Sequence, residues 1–325
     1  MSDPVLSVRG LTTVLHLSGG PVEVVRGVDL DVGAGETVAL VGESGCGKTM
    51  TMLSVMGLHP QPPAEIVGGR VVVDGVDLMT ASERERRAVR GAELAMVYQD
   101  PMTSLNPLMR VGDQIAEVLI AHGTTRRRAL DRTRDVLAEV GIAQPARAAR
   151  AYPHEFSGGM RQRVVVAMAL ALHPKVLIAD EPTTALDVTI QQQIIALIGG
   201  LRARLGMAVV WVTHDLGVVA RVAERTMVMY GGRIVEAGAT RRVFRQPEHP
   251  YTAGLLAAIP PVKGIERRPL QQIPGAPPDP GHTPAGCPFQ PRCPYAVDRC
   301  QVMPPLTDRG GSRAACWIPP PEWAA

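Results

Sequence analysis

The sequence predicts an α/β fold built on a mainly parallel sheet with helices on both faces. Three observations carry that expectation. Apolar runs of strand length alternate with helical stretches along much of the 325-residue chain. A glycine-rich segment at 42–49 joins one such strand, Thr37-Val38-Ala39-Leu40-Val41, to a helix that continues from Met50. A second apolar strand, Val176-Leu177-Ile178-Ala179, ends in two adjacent carboxylates, Asp180 and Glu181, at the kind of edge where parallel sheets gather ligands.

Taken in order, residues 5–41 alternate apolar and polar positions (Val5, Leu6, Val8, then Val22, Val24, Val28, Leu30, Val32) and read as short strands around a Gly19-Gly20 turn. Arg70-Val71-Val72-Val73 before Asp74-Gly75 reads as a strand entering a hairpin. Ser82-Glu83-Arg84-Glu85 opens a polar helix with a capping box, and its arginines form a solvated face. Leu94 to Tyr98 is the next buried strand. Val111, Ile115, Val118, Leu119, Leu130, Leu137 and Val140 recur at helical spacing. Arg126-Arg127-Arg128 among them is an exposed helix face. Pro145 and Pro153 mark irregular chain, and Ser157 caps an apolar helix running to about Leu172. Beyond Pro174, strands at 176–179, 208–212 and 226–230 alternate with helices at 189–205 and 216–223. The block at about 102–172 reads as a helical insertion into the sheet domain. From Pro260 the chain is proline-rich (269, 274, 277, 278, 280, 284), a semi-rigid linker. The expected division is a domain at 1–250 and an extension at 251–325.

Composition narrows the function. A hydrophobic share of 46% supplies a large core. A formal charge of +3 is small for this length, and aromatic residues make up only 3%, which argues against nucleic-acid partners and base-stacking platforms. The longest apolar run, Val164 to Leu172, is far short of the roughly 18–20 residues of a membrane span. Met1-Ser2-Asp3-Pro4 lacks the basic and apolar regions of a signal peptide. The expectation is a cytosolic protein whose membrane contact goes through a partner.

Gly42-Glu43-Ser44-Gly45-Cys46-Gly47-Lys48-Thr49 fits G-x-x-x-x-G-K-[ST], the phosphate-binding loop. Its glycines let backbone wrap around a phosphate at angles that side chains forbid. The loop N–H groups and the helix N-terminus point at the anion. Lys48 brings a point charge, and the Thr49 hydroxyl is a Mg²⁺ ligand. A chance glycine turn would not sit between a buried strand and a helix. Asp180 can hold Mg²⁺ beside the phosphates, leaving Glu181 to orient or deprotonate a water; the alternative for two such acids taken alone is simply to solvate a strand end. Phe156-Ser157-Gly158-Gly159-Met160 places a second anion-binding device at a helix N-terminus, or else a simple cap. One nucleotide does not need two such devices, so the second is assigned to a nucleotide held by another subunit. His214, just past strand 208–212, can meet the γ-phosphate. Gln99, where strand 94–98 passes into the helical insertion, can touch both Mg²⁺ or water and a moving helical unit.

This set resembles the ATP-binding subunit of ABC transporters. The matches are Gly42 to Thr49 (Walker A), Gln99 (Q-loop), Ser157-Gly158-Gly159 (signature), Val176 to Glu181 (Walker B and catalytic glutamate), Ala185-Leu186-Asp187 (D-loop) and His214 (switch histidine), in the family's order over roughly residues 5–245. Tyr98 to Pro107, Phe156 to Arg163 and Pro247-Glu248-His249-Pro250-Tyr251-Thr252 look like the dipeptide/oligopeptide importer branch. Two departures stand out. Met160 replaces the usual glutamine after the signature glycines, and the early position that normally offers an aromatic ring to adenine has Leu15 and His16, so adenine stacking is either weak or borne by His16. The resemblance implies two ATPase subunits, here two homologues, sandwiching two ATP molecules head to tail. Ser157 and Gly159 would serve the partner's ATP, and closure would pull on two transmembrane permease subunits. It also implies an extracytoplasmic peptide-binding protein, no nucleic acid, and a peripheral place at the cytoplasmic face of the inner membrane. Relatives for metal chelates or other small solutes share much of the motif set. A soluble ABC ATPase acting on nucleic acid would bring a coiled-coil or zinc insertion or a second cassette, and a small-molecule phosphotransferase would not need the signature; neither pattern is present.

Four of the five cysteines, Cys287, Cys293, Cys300 and Cys316, crowd the C-terminal tail. In a reducing cytosol, clustered thiols read first as metal ligands. They suit a [4Fe–4S] cluster or structural Zn²⁺. Zinc sites usually bring close C-x₂₋₄-C pairs, absent here, and similar tails in peptide-importer ATPases carry an iron–sulfur cluster.

Overall fold

The protein is described here by a computed structural model covering residues 3–184, 186–259, 272–318 and 320. Ala185, expected in the D-loop, and Pro260 and Pro269, expected in the linker, lie outside the described residues. In chain order the strands and helices are β1 (Leu6–Leu17), β2 (Gly20–Val32), β3 (Thr37–Val41), α1 (Lys48–Met56), β4 (Ala64–Val73), β5 (Val76–Asp77), α2 (Glu83–Val89), β6 (Leu94–Val97), α3 (Pro101–Ser104), α4 (Val111–Ala121), α5 (Arg126–Glu139), α6 (Pro145–Ala148), α7 (Gly158–Leu170), β7 (Val176–Asp180), α8 (Val188–Leu205), β8 (Ala208–Thr213), α9 (Leu216–Val222), β9 (Arg225–Tyr230), β10 (Arg233–Ala239), α10 (Thr240–Arg245), α11 (Pro250–Ala257), β11 (Thr307–Asp308) and β12 (Ser312–Ala314). They divide into two compact units. One gathers residues 72–211 and 31–36 with the N-terminal segment up to Ser7; the other gathers 8–30, 37–71 and the chain from Val212 onward.

In the first unit, β6 and β7 are parallel, with Leu94 opposite Val176 and Val97 opposite Ala179. β8 neighbours β7 on its other side. Every residue of these three strands is buried. A strand covered on both faces has no solvent face to alternate with, which is why they read as unbroken apolar runs. Asp74 and Gly75 turn β4 into β5, with Val73 opposite Val76. The capping box of α2 forms in full: Ser82 Oγ accepts the Glu85 N–H at 3.3 Å, and Glu85 Oε2 accepts the Ser82 N–H at 2.8 Å. Of the positions picked out by their spacing, Val111, Ile115 and Leu119 of α4, Leu137 of α5 and Val140 just beyond it are buried, whereas Val118 and Leu130 are half-buried; α5 buries Ala129, Thr133 and Val136 instead. Pro145 opens the short helix α6 rather than irregular chain, since proline suits the first helical position, where no N–H is needed. α7 stops at Leu170, two residues before the expected end, and His173 just beyond it takes a left-handed φ of 56°.

In the second unit, β3 is parallel to β9, with Val38 opposite Arg225 and Val41 opposite Val228. β10 runs antiparallel to β9, β12 pairs with β10 through Glu236 and Ala314, and β11 pairs with β12. The cysteine tail therefore adds strands to the sheet. The sequence reading missed this because two- and three-residue strands are too short to show a period. A separate sheet orders its strands β2-β1-β4, and its first turn falls at Ser18 and Gly19, one residue earlier than expected. The core of this unit joins β3 (Ala39, Val41), β9 (Val228, Tyr230), α9 (Leu216, Val219) and Tyr251 to the tail's Cys287, Phe289, Cys300, Cys316 and Ile318. Tyr230, Tyr251 and Phe289 meet pairwise with ring centroids 4.5, 5.2 and 5.4 Å apart, contacts worth roughly 0.5–1.5 kcal/mol each beyond their buried area.

Candidate active site

The loop Gly42–Thr49 links buried β3 to α1, the strand-loop-helix context its motif requires. Two of its glycines are sterically enforced. A Cβ on Gly42 would lie 2.3 Å from the Met229 carbonyl oxygen and 2.8 Å from Cys46 Sγ. One on Gly47, at φ 105°, would lie 2.6 Å from the Val24 oxygen. A Cβ on Gly45 (φ 80°) would meet nothing within 4 Å among the described residues, so its need is conformational. Lys48 is buried and donates to the carbonyls of Gly42 (2.8 Å) and Glu43 (3.0 Å). The ammonium thus sits inside the curve of its own loop. Thr49 and Ser44 are exposed at the loop surface. Cys46 is buried 3.9 Å from the Lys48 ammonium. Burial pushes its thiol pKa up, with Lys48 pulling the other way.

Two side chains that the sequence reading did not assign grip this loop from outside. The Tyr251 hydroxyl accepts the Glu43 N–H at 2.8 Å, and the Arg292 guanidinium makes a two-pronged ion pair with the Glu43 carboxylate. The segment 247–252 is shaped for this. Glu236, fully buried, accepts the N–H groups of Glu248 (2.9 Å) and His249 (3.0 Å). His249 Nδ1 then accepts the Tyr251 N–H at 3.1 Å, capping α11. Burial raises the Glu236 pKa to about 7 and lowers that of His249 to about 3. Arg292 had one sequence signal, its place between two of the tail cysteines.

In the other unit, Asp180 is 2% exposed at the end of β7. Glu181 follows with a left-handed φ of 45°, a strained state for a non-glycine residue and one that clusters at functional sites. Its carboxylate accepts from Gln99 Nε2 (3.2 Å) and Thr184 Oγ1 (2.9 Å). Gln99 and Glu181, 82 positions apart, are thereby brought together, and Gln99 is exposed.

Ser157 caps α7, its hydroxyl accepting the Met160 N–H at 3.4 Å. The two glycines after it differ. Gly159 is buried, and a Cβ there would strike Ile190 at 2.6 Å, so close packing of α7 on α8 demands glycine. Gly158 is exposed and a Cβ would meet only an ordinary contact with Leu186 at 3.8 Å. Among the described residues, nothing requires glycine at 158. His214 is exposed just before Asp215, whose carboxylate caps α9 through the Gly217 and Val218 N–H groups. Leu15 and His16 lie within β1, and His16 pairs with Glu65 at 2.7 Å.

None of the four tail cysteines is in a disulfide. Cys287, Cys300 and Cys316 are buried in one core cluster and Cys293 packs against it. Burial raises the thiol pKa of Cys287 and Cys293 to about 11, and the neighbouring tail thiols push the same way. Among the described residues, no three His, Cys, Asp or Glu side chains are arranged to hold a single metal ion. No described helix is long and apolar enough to cross a membrane.

Residues 25–184 match the family described as "ABC transporter", and residues 235–300 match "Oligopeptide/dipeptide transporter, C-terminal region". The chain is 47% identical over 321 residues to the dipeptide transport ATP-binding protein DppD of Bacillus subtilis, spanning 97% of this chain and 95% of that protein. It is 50% identical over 293 residues to the oligopeptide transport ATP-binding protein OppD of the same organism (90% and 82%). It is 48% identical over 329 residues to a putative peptide import ATP-binding protein of Brucella ovis (97% of each). Among solved structures, it is similar to a dimeric ATP-binding cassette in a post-hydrolysis state bound to ADP and Pi, with TM-score 0.64 and 27% identity, covering 73% of this chain and 99% of that one. The structure of cbiO1 from Clostridium perfringens is similar at TM-score 0.63 and 26% identity, covering 75% and 92%.

Proposed function

Because the chain belongs to the ATP-binding subunits of oligopeptide/dipeptide ABC transporters, we propose that it binds and hydrolyses ATP to power peptide import through a membrane transporter. The observation that carries the peptide branch is the second match, over 235–300. That region contains Tyr251 and Arg292, the side chains gripping the phosphate loop.

The loop N–H groups and Lys48 hold the phosphates of ATP. Thr49, Gln99 and Asp180 would hold Mg²⁺, whose charge would offset that of the β- and γ-phosphates. A hydroxyl, an amide oxygen and a carboxylate are donors of the kind that hard, oxygen-seeking ion takes. Glu181 orients the attacking water and takes its proton as the γ-phosphorus bond to ADP breaks. Its hydrogen bond from Gln99 lets one side chain sense both the catalytic carboxylate and the helical segment that follows. His214 meets the γ-phosphate. The exposed Ser157-Gly158 device serves the ATP of a second, homologous ATPase subunit; a glycine that no described residue requires supports close approach from outside. Gly159 enters that role through its position in the helix N-terminus.

The partners in this reading are the second ATPase, two transmembrane permease subunits and, indirectly, an extracytoplasmic peptide-binding protein. The chain is peripheral at the cytoplasmic face of the cell membrane. The test is reconstitution of the co-expressed subunits in lipid vesicles. ATP-dependent uptake of a labelled di- or oligopeptide that is lost in Lys48→Ala supports the reading. Uptake of a metal chelate and not of peptides would move the chain to another solute, and co-purification with nucleic acid instead of permeases would overturn it.

The tail is assigned a [4Fe–4S] cluster on Cys287, Cys293, Cys300 and Cys316. What supports a shared group is that Cys287, Cys300 and Cys316 lie in one buried cluster with Cys293 packed against it, and iron is preferred to zinc because no close C-x₂₋₄-C pair of the kind zinc sites use is present among them. The cluster would staple the tail rather than enter ATP chemistry. A brown protein absorbing broadly near 400 nm, bleached by Cys293→Ser, supports this. Colourless protein with one zinc, purified without oxygen, would overturn it.

A further inference from the structure

We infer that Arg292 and Tyr251 are positioning residues for ATP binding, setting the shape of the phosphate loop through Glu43. The inference rests on residues 42–49 being that loop.

Glu43 is held at three points. Its N–H donates to Tyr251 Oη at 2.8 Å. Its carboxylate takes both prongs of Arg292, Nη1 to Oε2 at 2.6 Å and Nη2 to Oε1 at 3.1 Å. Its carbonyl accepts from Lys48 Nζ at 3.0 Å. The residue fixed from outside is therefore the one whose main chain helps place the ammonium that meets the phosphates.

Arg292 is built for a fixed position. It is 7% exposed, and all five of its N–H donors are directed at acceptors. Nε donates to the Pro274 oxygen (2.8 Å), Nη1 to Glu43 and the Tyr230 hydroxyl (3.2 Å), and Nη2 to Glu43 and the Ile273 oxygen (3.4 Å). A lysine has three donors and cannot form the paired fork. Tyr251 is fully buried between Tyr230 and Phe289, so its hydroxyl has little freedom to leave Glu43. Arg292 itself ends the turn Gln290–Arg292, which is closed by the Gln290 N–H to the Cys287 oxygen at 3.0 Å and the Cys293 N–H to the Gln290 oxygen at 3.3 Å. Two of the four tail cysteines thus shape the turn that presents the guanidinium to the loop. A loop already curved when ATP arrives loses less freedom on binding, which is the general origin of tighter affinity by preorganisation.

The test uses the full chain and, for kinetics, the assembled transporter. Arg292→Ala, Glu43→Gln and the double variant are titrated with fluorescent Mg-ATP, with thermal unfolding and tail iron or zinc content measured on each. Each single variant is expected to weaken ATP about tenfold, and the double variant no more than about twofold further, because both remove one interaction. Arg292→Lys should recover part of the loss. In the transporter, KM for ATP should rise about tenfold while kcat stays within about threefold, the pattern of lost uniform binding. A merely structural Arg292 would lower the unfolding temperature and leave KM alone. Glu43→Gln, outside the tail, keeps the test valid should Arg292→Ala misfold. KM and affinity within twofold of wild type in Glu43→Gln would overturn the inference. Lys48→Ala separates it from the underlying reading. If Lys48→Ala binds ATP normally, the loop assignment fails and the inference with it; if it loses ATP while the Glu43 and Arg292 variants do not, only the inference fails.

Discussion

Glu181→Gln isolates the chemical step. The substitution keeps the side chain's length and volume and leaves Asp180, the Mg²⁺ candidate, untouched. The amide oxygen can still accept from Thr184 Oγ1, now 2.9 Å from the carboxylate. The left-handed backbone at φ 45° costs both side chains alike, so folding stability should change little. What disappears is the negative charge that would orient and deprotonate water. A general base of this kind contributes about 10²- to 10⁴-fold, equivalent to roughly 3–5 kcal/mol of activation free energy. The expected result in the assembled transporter is a kcat reduced at least about a hundredfold with ATP affinity within about threefold of wild type. Single-turnover hydrolysis of radiolabelled ATP, with a parallel nucleotide titration, measures both. Turnover within about threefold of wild type would refute the role given to Glu181, whatever the affinity.

Further expectations follow from the same geometry. Gly47→Ala places a methyl 2.6 Å from the Val24 oxygen at a φ of 105°, so it should abolish ATP binding and destabilise the chain by a few kcal/mol, read by calorimetry and thermal melts. Gly159→Ala drives a methyl into Ile190 and should cost about 1–3 kcal/mol of stability. Gly158→Ala should leave the melting temperature unchanged yet depress coupled hydrolysis at least tenfold in the transporter. Glu236 and His249 give opposite pH slopes. With its folded pKa raised to about 7, Glu236 contributes stability at low pH that fades between about pH 4.5 and 7. His249, lowered to about 3, contributes stability at neutral pH that is lost as pH falls from about 6.5 toward 3. Denaturant midpoints should show these two contributions cancelling between about pH 4.5 and 6.5, with His249→Asn flattening the acid limb.

The parts legible in the sequence are those that one local rule enforces. The loop 42–49 announces itself because a backbone wrapped on a phosphate needs glycines at fixed offsets, two of them with no room for a Cβ. The buried strands β6, β7 and β8 appear as apolar runs because they have no solvent face. Gln99 and Glu181 each stand out just past a strand end, but the hydrogen bond between them, made because β6 and β7 are parallel and in register, was not among the expectations. What stayed hidden was long-range and short in extent. β11 and β12 are recruited by pairing on β10, not by their own pattern. The Arg292–Glu43 pair spans 249 positions, and a charged residue amid cysteines and prolines gives no hint of its partner. Segment 247–252 was recognisable as a branch motif, but its purpose, carrying Tyr251 to the loop, required Glu236 to bind two successive N–H groups.

The claim beneath the whole account is that Ser157 and Gly158 act on ATP bound to a different subunit. Measuring the ATPase rate of this chain while light scattering reports its mass tests that directly. The account predicts negligible hydrolysis from the monomer and full activity only when the second ATPase subunit is added. A demonstrably monomeric chain hydrolysing ATP at the rate of the assembled transporter would contradict it.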